Sequence, residues 1–289
     1  MSQTHTIDLD GVRIHYAEAG DAAPALVIVH GMTGSHASFL PLLPALAQHA
    51  HVYAIDLRGH NLSGHTPGAY QVPDYVRDVA AFLRTVVGKP AVVAGHSLGG
   101  LVTAWLAASA PDLVQGILLE DPPFFITQPP RLQTTFFYGF FVFLRDALRQ
   151  HHAHGGTLEE MVAFVGQLPV NDKQTMLDAA GAEMVRLRAI ELQRLDPEIL
   201  DPAIDGVILG EHEPDDLLAQ IRCPIHLLAA DADLGGAMDT QDVQHFITSA
   251  PHCSYAVLKG TGHGIHEERP GDYLQAVLRS LSRIDRSHD

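Results

Sequence analysis

The stretch that most constrains this chain is VVAGHSLGG, residues 92–100, in which a short apolar run leads through a G-x-S-x-G pattern centred on Ser97 into a helical pattern. A serine at such a junction predicts a sharp strand-to-helix turn that strains the backbone and lifts the serine above the sheet edge. Because the positions two before and two after the serine approach each other closely there, we expect glycine to be required at Gly95 and Gly99. Ser97 is therefore our candidate nucleophile.

The rest of the chain alternates between strand and helix patterns, as such a turn requires. Apolar stretches typical of buried strands separate amphipathic helical patterns before residue 121 and again after residue 223. The predicted strands are 25–29, 51–56, 91–94, 116–120, 224–230 and 255–258, after a hairpin over 5–15, and the predicted helices are 39–48, 75–86, 99–109, 240–248 and 270–283. This order predicts an α/β fold with a mostly parallel central sheet and helices on both faces.

The alternation is interrupted after Asp121 by a proline-rich segment. About 80 residues then carry helical patterns, including 158–167 and 173–195, but no convincing strand. We interpret 122–209 as an inserted all-helical cap. Residues 1–121 and 210–289 then form one core, which suits a chain of 289 residues.

Composition excludes several classes of partner. A formal net charge of -16 gives no basic surface for nucleic acid. The most apolar run, 136–144, is too short for a membrane span, for which roughly 20 residues are needed. The first residues lack the basic-then-apolar pattern of a secretory signal, and two cysteines imply no disulfide framework. We expect a cytoplasmic protein acting on a small molecule.

A serine nucleophile needs a base, and the histidine best placed for this is His263. It follows a short predicted strand and lies in a loop between two glycines, GTGHG, before a helix that starts near Pro270. His266, three residues on, is the alternative, although its position suits bracing of the loop. We expect His263 to reach over the sheet edge towards Ser97.

The base needs an acid, and here the sequence offers more than one candidate. Asp233 lies just past the end of the strand in PIHLLAADAD, at the predicted edge of Ser97 and His263, with Asp231 two residues before it. Asp233 is our choice because the chain order Ser97, Asp233, His263 is that of a nucleophile-elbow triad. The pair Glu120 and Asp121, at the end of the preceding strand, is the rival.

Two backbone N–H groups are candidates for stabilising an oxyanion. Leu98 begins the helix after the elbow, and Met32 follows His30-Gly31 in the loop after an early strand. Aromatic residues concentrated between 124 and 143 either line a substrate pocket or attach the cap to the core. The candidate pocket residues are His30, His96, Phe124, Phe125, Phe136, Phe137 and Phe140.

Together these segments resemble the α/β-hydrolase superfamily. The resemblance rests on HGMTGS, DLRGH, GHSLGG, the acid loop and GTGH, in that order and over nearly the whole chain. It departs at Asn61, where a glycine usually stands, and in the acid loop, where Ala230-Asp231-Ala232-Asp233 replaces the usual Gly-x-x-Asp. A serine nucleophile is unlike the aspartate of the epoxide hydrolases and haloalkane dehalogenases of this fold.

The resemblance and the residues imply a serine hydrolase that uses a Ser-His-Asp triad and an acyl-enzyme. We expect a carboxylesterase or lactonase for a small-to-medium hydrophobic substrate, with no metal and no organic cofactor. Two alternatives stay open: a carbon-carbon bond hydrolase using the same triad, and a ligand receptor built on a hydrolase scaffold.

Overall fold

A computed structural model describes residues 2–171, 174–250 and 252–285. Its strands are β1 (Gln3–Leu9), β2 (Val12–Ala19), β3 (Ala25–Val29), β4 (His51–Ile55), β5 (Ala91–His96), β6 (Val114–Glu120), β7 (Pro169–Asn171), β8 (Gln174–Thr175), β9 (Ile225–Ala229) and β10 (Cys253–Val257). Eight of them form one sheet in the order β1-β2-β4-β3-β5-β6-β9-β10. The pairs from β4 to β10 are parallel, whereas β2 pairs antiparallel with both β1 and β4, which confirms the predicted α/β class.

Helices cover both faces of this sheet. They are α1 (Leu43–Leu46), α2 (Val72–Phe82), α3 (Leu98–Ser109), α4 (Phe136–Ala153), α5 (Leu158–Gln167), α6 (Met176–Gln193), α7 (Asp201–Ile204), α8 (Pro214–Gln220), α9 (Thr240–Ser249), α10 (Ile265–Glu268) and α11 (Pro270–Asp285). Two hydrophobic clusters result, one on each face of the sheet.

The centre of the sheet is buried because its strands are continuously apolar. Every residue of β3 is buried, and so is every residue of β5 except the last, His96. The helix α3 follows β5 directly and is buried over ten consecutive residues from Leu98 to Ala107, most of which are small or aliphatic. Such a helix packs close to the sheet, so the Ser97 turn is held by core on both sides.

The described part of the segment between β6 and β9 contributes no strand to the eight-stranded sheet. The chain leaves at the end of β6 and returns with β9, and these two strands pair directly in register Ile117 to Ile225. Between them lie helices α4 to α8 and the antiparallel ribbon of β7 and β8, which the sequence did not predict because the two strands are only three and two residues long. The cap limits 122–209 stay a prediction.

Two remaining expectations concern the membrane and the cysteines. Among the described residues, no helix combines the length and apolar character that crossing a bilayer would need. Cys223 and Cys253 are not joined in a disulfide, and burial raises the pKa of Cys223 to about 11.

Candidate active site

The turn at Ser97 has the strained geometry expected of it. Ser97 has φ 52° and ψ −117°, outside the regions that residues with side chains usually occupy. A Cβ atom added at Gly95 would lie 2.1 Å from the carbonyl oxygen of Gly99, and one added at Gly99 would lie 2.2 Å from that of Val29. The need for glycine at both positions is thus confirmed, and the Ser97 side chain lines a cavity above the sheet edge.

His263 also lines this cavity, and its carboxylate partner is Asp121. His263 Nδ1 lies 2.7 Å from Asp121 Oδ2, and because a carboxylate only accepts, Nδ1 donates and leaves Nε2 as the basic nitrogen. The fully buried Asp121 carboxylate also accepts the backbone N–H groups of Ala237 at 2.7 Å and Ala230 at 3.1 Å. Three donors fix it in one orientation.

The choice of Asp233 as the acid is therefore corrected. Asp233 lies in a single turn, Ala232–Leu234, and its side chain is exposed. The turn is closed by Asp231, whose side chain accepts the Asp233 N–H at 3.3 Å and binds Lys259 Nζ at 2.9 Å. The loop after β9 thus supplies backbone donors to Asp121, and Asp121, at the end of the neighbouring strand, occupies the place expected for Asp233.

The preceding residue, Glu120, holds the other histidine of the loop. Its Oε1 accepts the backbone N–H of His266 at 2.8 Å and His266 Nδ1 at 2.9 Å. His266 is buried and stacks on Phe39 at 4.2 Å between ring centroids, so it braces the loop, as expected.

Burial and charge give these groups different proton affinities. Burial lowers the pKa of His263, but the hydrogen bond and charge of Asp121 outweigh it, so the pKa lies above its usual value. Burial raises the pKa of Glu120 to about 7 and lowers that of His266 to about 4. A raised pKa at His263 means that its imidazolium is stabilised, as a base in acyl transfer requires.

Met32 and Leu98, the two oxyanion candidates, both line the cavity. The backbone of the Met32 loop is held in place by His60, whose Nε2 lies 2.6 Å from the Met32 carbonyl oxygen. His30 does not line the cavity and is corrected as a pocket residue. Its Nδ1 donates to the Gly31 carbonyl at 2.7 Å, its Nε2 accepts the Leu57 N–H at 3.0 Å, and burial lowers its pKa to about 3, so it is a neutral brace of this loop.

The cavity has a volume of about 320 Å³ and is predominantly apolar. His96, Phe136, Phe137 and Phe140 line it, as expected, and the ring of Phe137 meets that of His263 edge-on at 5.8 Å between centroids. Phe124 and Phe125 do not line it. Phe124 is fully buried against Phe246, and Phe125 stacks on His245, so these two attach the segment after β6 to α9. Phe141 and Leu144, from the next turn of α4, complete this apolar wall.

Among the described residues, two clusters have ligand atoms close enough together for a metal ion: the buried His15, His36 and Asp56, and the half-buried His96 with the buried Glu120 and His266. Hydrogen bonds account for the first, since Asp56 accepts both histidine Nδ1 atoms at 2.8 and 3.0 Å. Hydrogen bonds also account for the second cluster. His266 bonds to Glu120, and His96 Nε2 lies 3.0 Å from the His263 carbonyl oxygen. Both clusters brace loops around the candidate site.

A serine at a strained elbow, with a histidine-carboxylate pair beside it on a mostly parallel sheet, defines an α/β-hydrolase arrangement. The alpha/beta hydrolase family matches residues 26–276, so the chain belongs to that family. Solved structures agree on the fold: E-2-(acetamidomethylene)succinate hydrolase superimposes with a TM-score of 0.73 at 20% identity, over 98% of this chain and 100% of that one. The enol-lactonase from Burkholderia xenovorans LB400 does so with a TM-score of 0.74 at 19% identity, over 96% and 100%.

Curated relatives cover a range of hydrolytic activities. A 2-(acetamidomethylene)succinate hydrolase of Mesorhizobium japonicum is 34% identical over 115 residues, which are 40% of this chain and 41% of that protein. A pimeloyl-[acyl-carrier protein] methyl ester esterase of Xylella fastidiosa is 36% identical over 111 residues, 38% of this chain and 42% of that protein. These matches span less than half the length of either relative. An sn-1-specific diacylglycerol lipase of Mus musculus is 24% identical over 275 residues, 91% of this chain and 83% of that protein.

Proposed function

We propose that this hydrolase cleaves a carboxylic ester or lactone through an acyl-enzyme on Ser97. The observation that carries the proposal is the convergence on one apolar cavity of a serine at a strained elbow and a histidine oriented by a buried aspartate. The esterase and lactonase among the related proteins support this reading of the site. A cytoplasmic location and a small-molecule partner stay predictions.

In the proposed reaction, His263 Nε2 takes the proton of Ser97 Oγ as that oxygen attacks the substrate carbonyl carbon. The carbonyl oxygen becomes an oxyanion, to which the backbone N–H groups of Met32 and Leu98 would donate. The protonated His263, stabilised by Asp121, then gives its proton to the leaving oxygen as the ester bond breaks. Water attacks the acyl-enzyme with the same base, which releases the acid and restores Ser97.

The cavity supports a small-to-medium hydrophobic substrate. Its volume of about 320 Å³ lies at the lower end of the range for ligand pockets. The aromatic side chains of α4 form one wall, and the Phe137 ring lies against His263, so an apolar group bound there would shield the reacting atoms from water.

The test is steady-state hydrolysis of p-nitrophenyl acetate, butyrate and octanoate and of a six-membered lactone. We expect multiple turnovers in the wild type and a loss of at least about 10³-fold in Ser97→Ala, because the nucleophile is removed. Ser109→Ala, at the far end of the same helix, is the matched control and should retain wild-type rates.

Each other outcome contradicts the proposal in a distinct way. A single burst without turnover would favour a ligand receptor on a hydrolase scaffold. Absence of any ester or lactone hydrolysis, with Ser97-dependent cleavage of a 1,3-diketone, would favour a carbon-carbon bond hydrolase. Ester hydrolysis that survives Ser97→Ala would exclude Ser97 as the nucleophile.

A further inference from the structure

Two charged side chains of the described chain, Arg188 and Glu267, lie in the wall of the largely apolar cavity. Arg188, on α6, lines the cavity together with Leu192, from the next turn of the same helix, and Glu267 of α10. An arginine in such a place is costly unless its donors are used, because guanidinium groups are strongly solvated in water.

Two carboxylates hold the guanidinium in position. Arg188 Nη1 donates to Glu191 Oε2 at 2.8 Å, and Nη2 donates to Glu267 Oε1. Glu191 is itself only 2% exposed and accepts the Ser35 hydroxyl at 2.6 Å through its other oxygen. The head group is therefore fixed between the inserted segment and the core, with little freedom to turn away from the cavity.

This arrangement leaves hydrogen-bond donors for a ligand. A guanidinium has five N–H donors, and over the described chain Arg188 spends two of them, one on each glutamate. Its side chain is 23% exposed, and Arg188 forms part of the cavity wall. A substrate atom that reached this wall could accept one of the unused N–H groups.

The local charge decides which kind of acceptor fits. Arg188 brings one positive charge, whereas Glu191 and Glu267 bring two negative charges. His266, 3.9 Å from Glu267, adds none at neutral pH because burial lowers its pKa to about 4. An anionic substrate group would be repelled by the net negative charge of these side chains. A neutral carbonyl oxygen would accept a hydrogen bond from the Arg188 cation without that repulsion.

We propose that Arg188 is a specificity-determining residue that binds a neutral hydrogen-bond acceptor, such as a ketone, amide or ester oxygen, on the part of the substrate remote from the bond that is cleaved. This inference rests on the proposed function and names its substrate class: a bifunctional, uncharged ester or lactone. A purely aliphatic ester leaves the free donors unpaired, and a carboxylate-bearing ester meets Glu191 and Glu267.

The experiment compares matched substrates in a pH-stat assay. The acyl series is ethyl hexanoate, ethyl 5-oxohexanoate and ethyl hydrogen glutarate, and the alcohol series is hexyl acetate and 5-oxohexyl acetate. The quantity measured is the ratio of kcat/KM for the oxo substrate to that for its alkyl partner. We expect this ratio, in at least one series, to be about tenfold higher in the wild type than in Arg188→Met, because a hydrogen bond to a charged donor is lost.

Control variants separate binding from folding. Arg186→Gln changes an exposed arginine two residues away on the same helix, paired with Glu159, and should leave the ratio at its wild-type value. Glu267→Gln removes one negative charge beside Arg188 and should raise kcat/KM for ethyl hydrogen glutarate relative to ethyl hexanoate. A ratio within one variant is insensitive to the fraction of protein that is folded, so a general loss of stability cannot imitate the effect.

Three results would overturn the inference while leaving the proposed function standing: a ratio that does not change in Arg188→Met, one that changes equally in Arg186→Gln, or a wild-type preference for ethyl hydrogen glutarate over both uncharged esters. Failure of the proposed function would look different, since no ester of either series would then be turned over in a Ser97-dependent way.

Discussion

Replacing Asp121 with asparagine tests the assignment of the acid most directly. Asp121 Oδ2 accepts both His263 Nδ1 and the Ala237 N–H at 2.7 Å, while Oδ1 accepts the Ala230 N–H at 3.1 Å. An asparagine oxygen in the Oδ2 place keeps two of these bonds but loses the negative charge. The loss of a charge-assisted bond is worth about 1.5–3 kcal/mol, or roughly 10- to 150-fold in rate.

The opposite orientation of the amide would cost more. With its NH₂ group towards His263, Nδ1 would have to accept, and the proton would move to Nε2, the nitrogen that should be basic. The corresponding wrong tautomer in a serine protease lowers kcat by about 10⁴-fold. We therefore expect kcat of Asp121→Asn to fall by between about 10- and 10⁴-fold, and that of Asp233→Asn, whose side chain is exposed, to stay within about twofold of wild type.

The pH dependence of kcat/KM gives a second reading of the same variant. His263 must be neutral to act as a base, so activity is lost as the pH falls through its pKa, which Asp121 raises above the usual histidine value. Without the Asp121 charge and its hydrogen bond, burial is opposed only by the weaker effects of Glu120 and Glu268 on the His263 pKa, and the acid limb of the residual activity should move to lower pH. A large loss in Asp233→Asn with little change in Asp121→Asn would refute the assignment, as would an acid limb that does not move.

Three further predictions concern stability. Gly95→Ala should lower the melting temperature severely or prevent folding, because the new Cβ would lie 2.1 Å from a carbonyl oxygen, whereas Gly139→Ala, with no atom within 4 Å of the added Cβ, should add about 0.5–1 kcal/mol as a helix former. Asp78→Ala should cost about 3–5 kcal/mol in urea unfolding, because it strands the buried Arg58 guanidinium, which Asp78 binds through two 2.6 Å bonds. The free energy of unfolding of Glu120→Gln should increase relative to that of wild type as the pH rises from 4.5 to 7. The reason is that the folded-state pKa of Glu120 is raised to about 7, so the ionisation of this side chain opposes folding of the wild type over that interval. A stability difference in favour of the variant that shrinks as the pH rises would contradict this prediction.

The features that could be predicted from the sequence are those encoded locally. The Gly95 to Gly99 turn follows from steric contact between neighbours in the chain, and the parallel sheet follows from apolar runs separated by amphipathic ones. His263 could be placed at the right edge of the sheet because it lies in a glycine-rich loop after a strand. Each of these signals is contained within about fifteen residues.

The acid was misplaced because its selection is not local. Asp233 and Asp121 both follow strands that end at the same edge, and the chain order favours Asp233. The choice between them depends on which backbone N–H groups face inward, and Ala230 and Ala237 turn theirs towards Asp121. One usable signal was present, since Glu120 and Asp121 form an acidic dipeptide at the end of a buried strand, where an ionisable pair is costly unless partnered.

Phe124 and Phe125 were wrongly predicted to line the pocket, and Arg188 was missed, for a related reason. Aromatic residues in one proline-rich stretch read alike in sequence, but Phe124 faces the core while Phe137, on the first turn of α4, faces His263. Arg188 gave no sequence signal at all. Its place in the cavity wall depends on its pairing with Glu267 of α10, 79 residues away along the chain.

The dipeptide Glu120-Asp121 binds two histidines of one short stretch of chain, because Asp121 binds His263, which precedes α10, and Glu120 binds His266 within α10. The two carboxylates are adjacent on one backbone segment. Any shift of that segment therefore displaces His263 and His266 together. Free energies of substitution at these two positions should therefore be non-additive in a double-mutant cycle. For protein engineering, moving the acid to the loop after β9 would uncouple the two histidines, because Glu120 would still hold His266 while His263 would depend on a different segment.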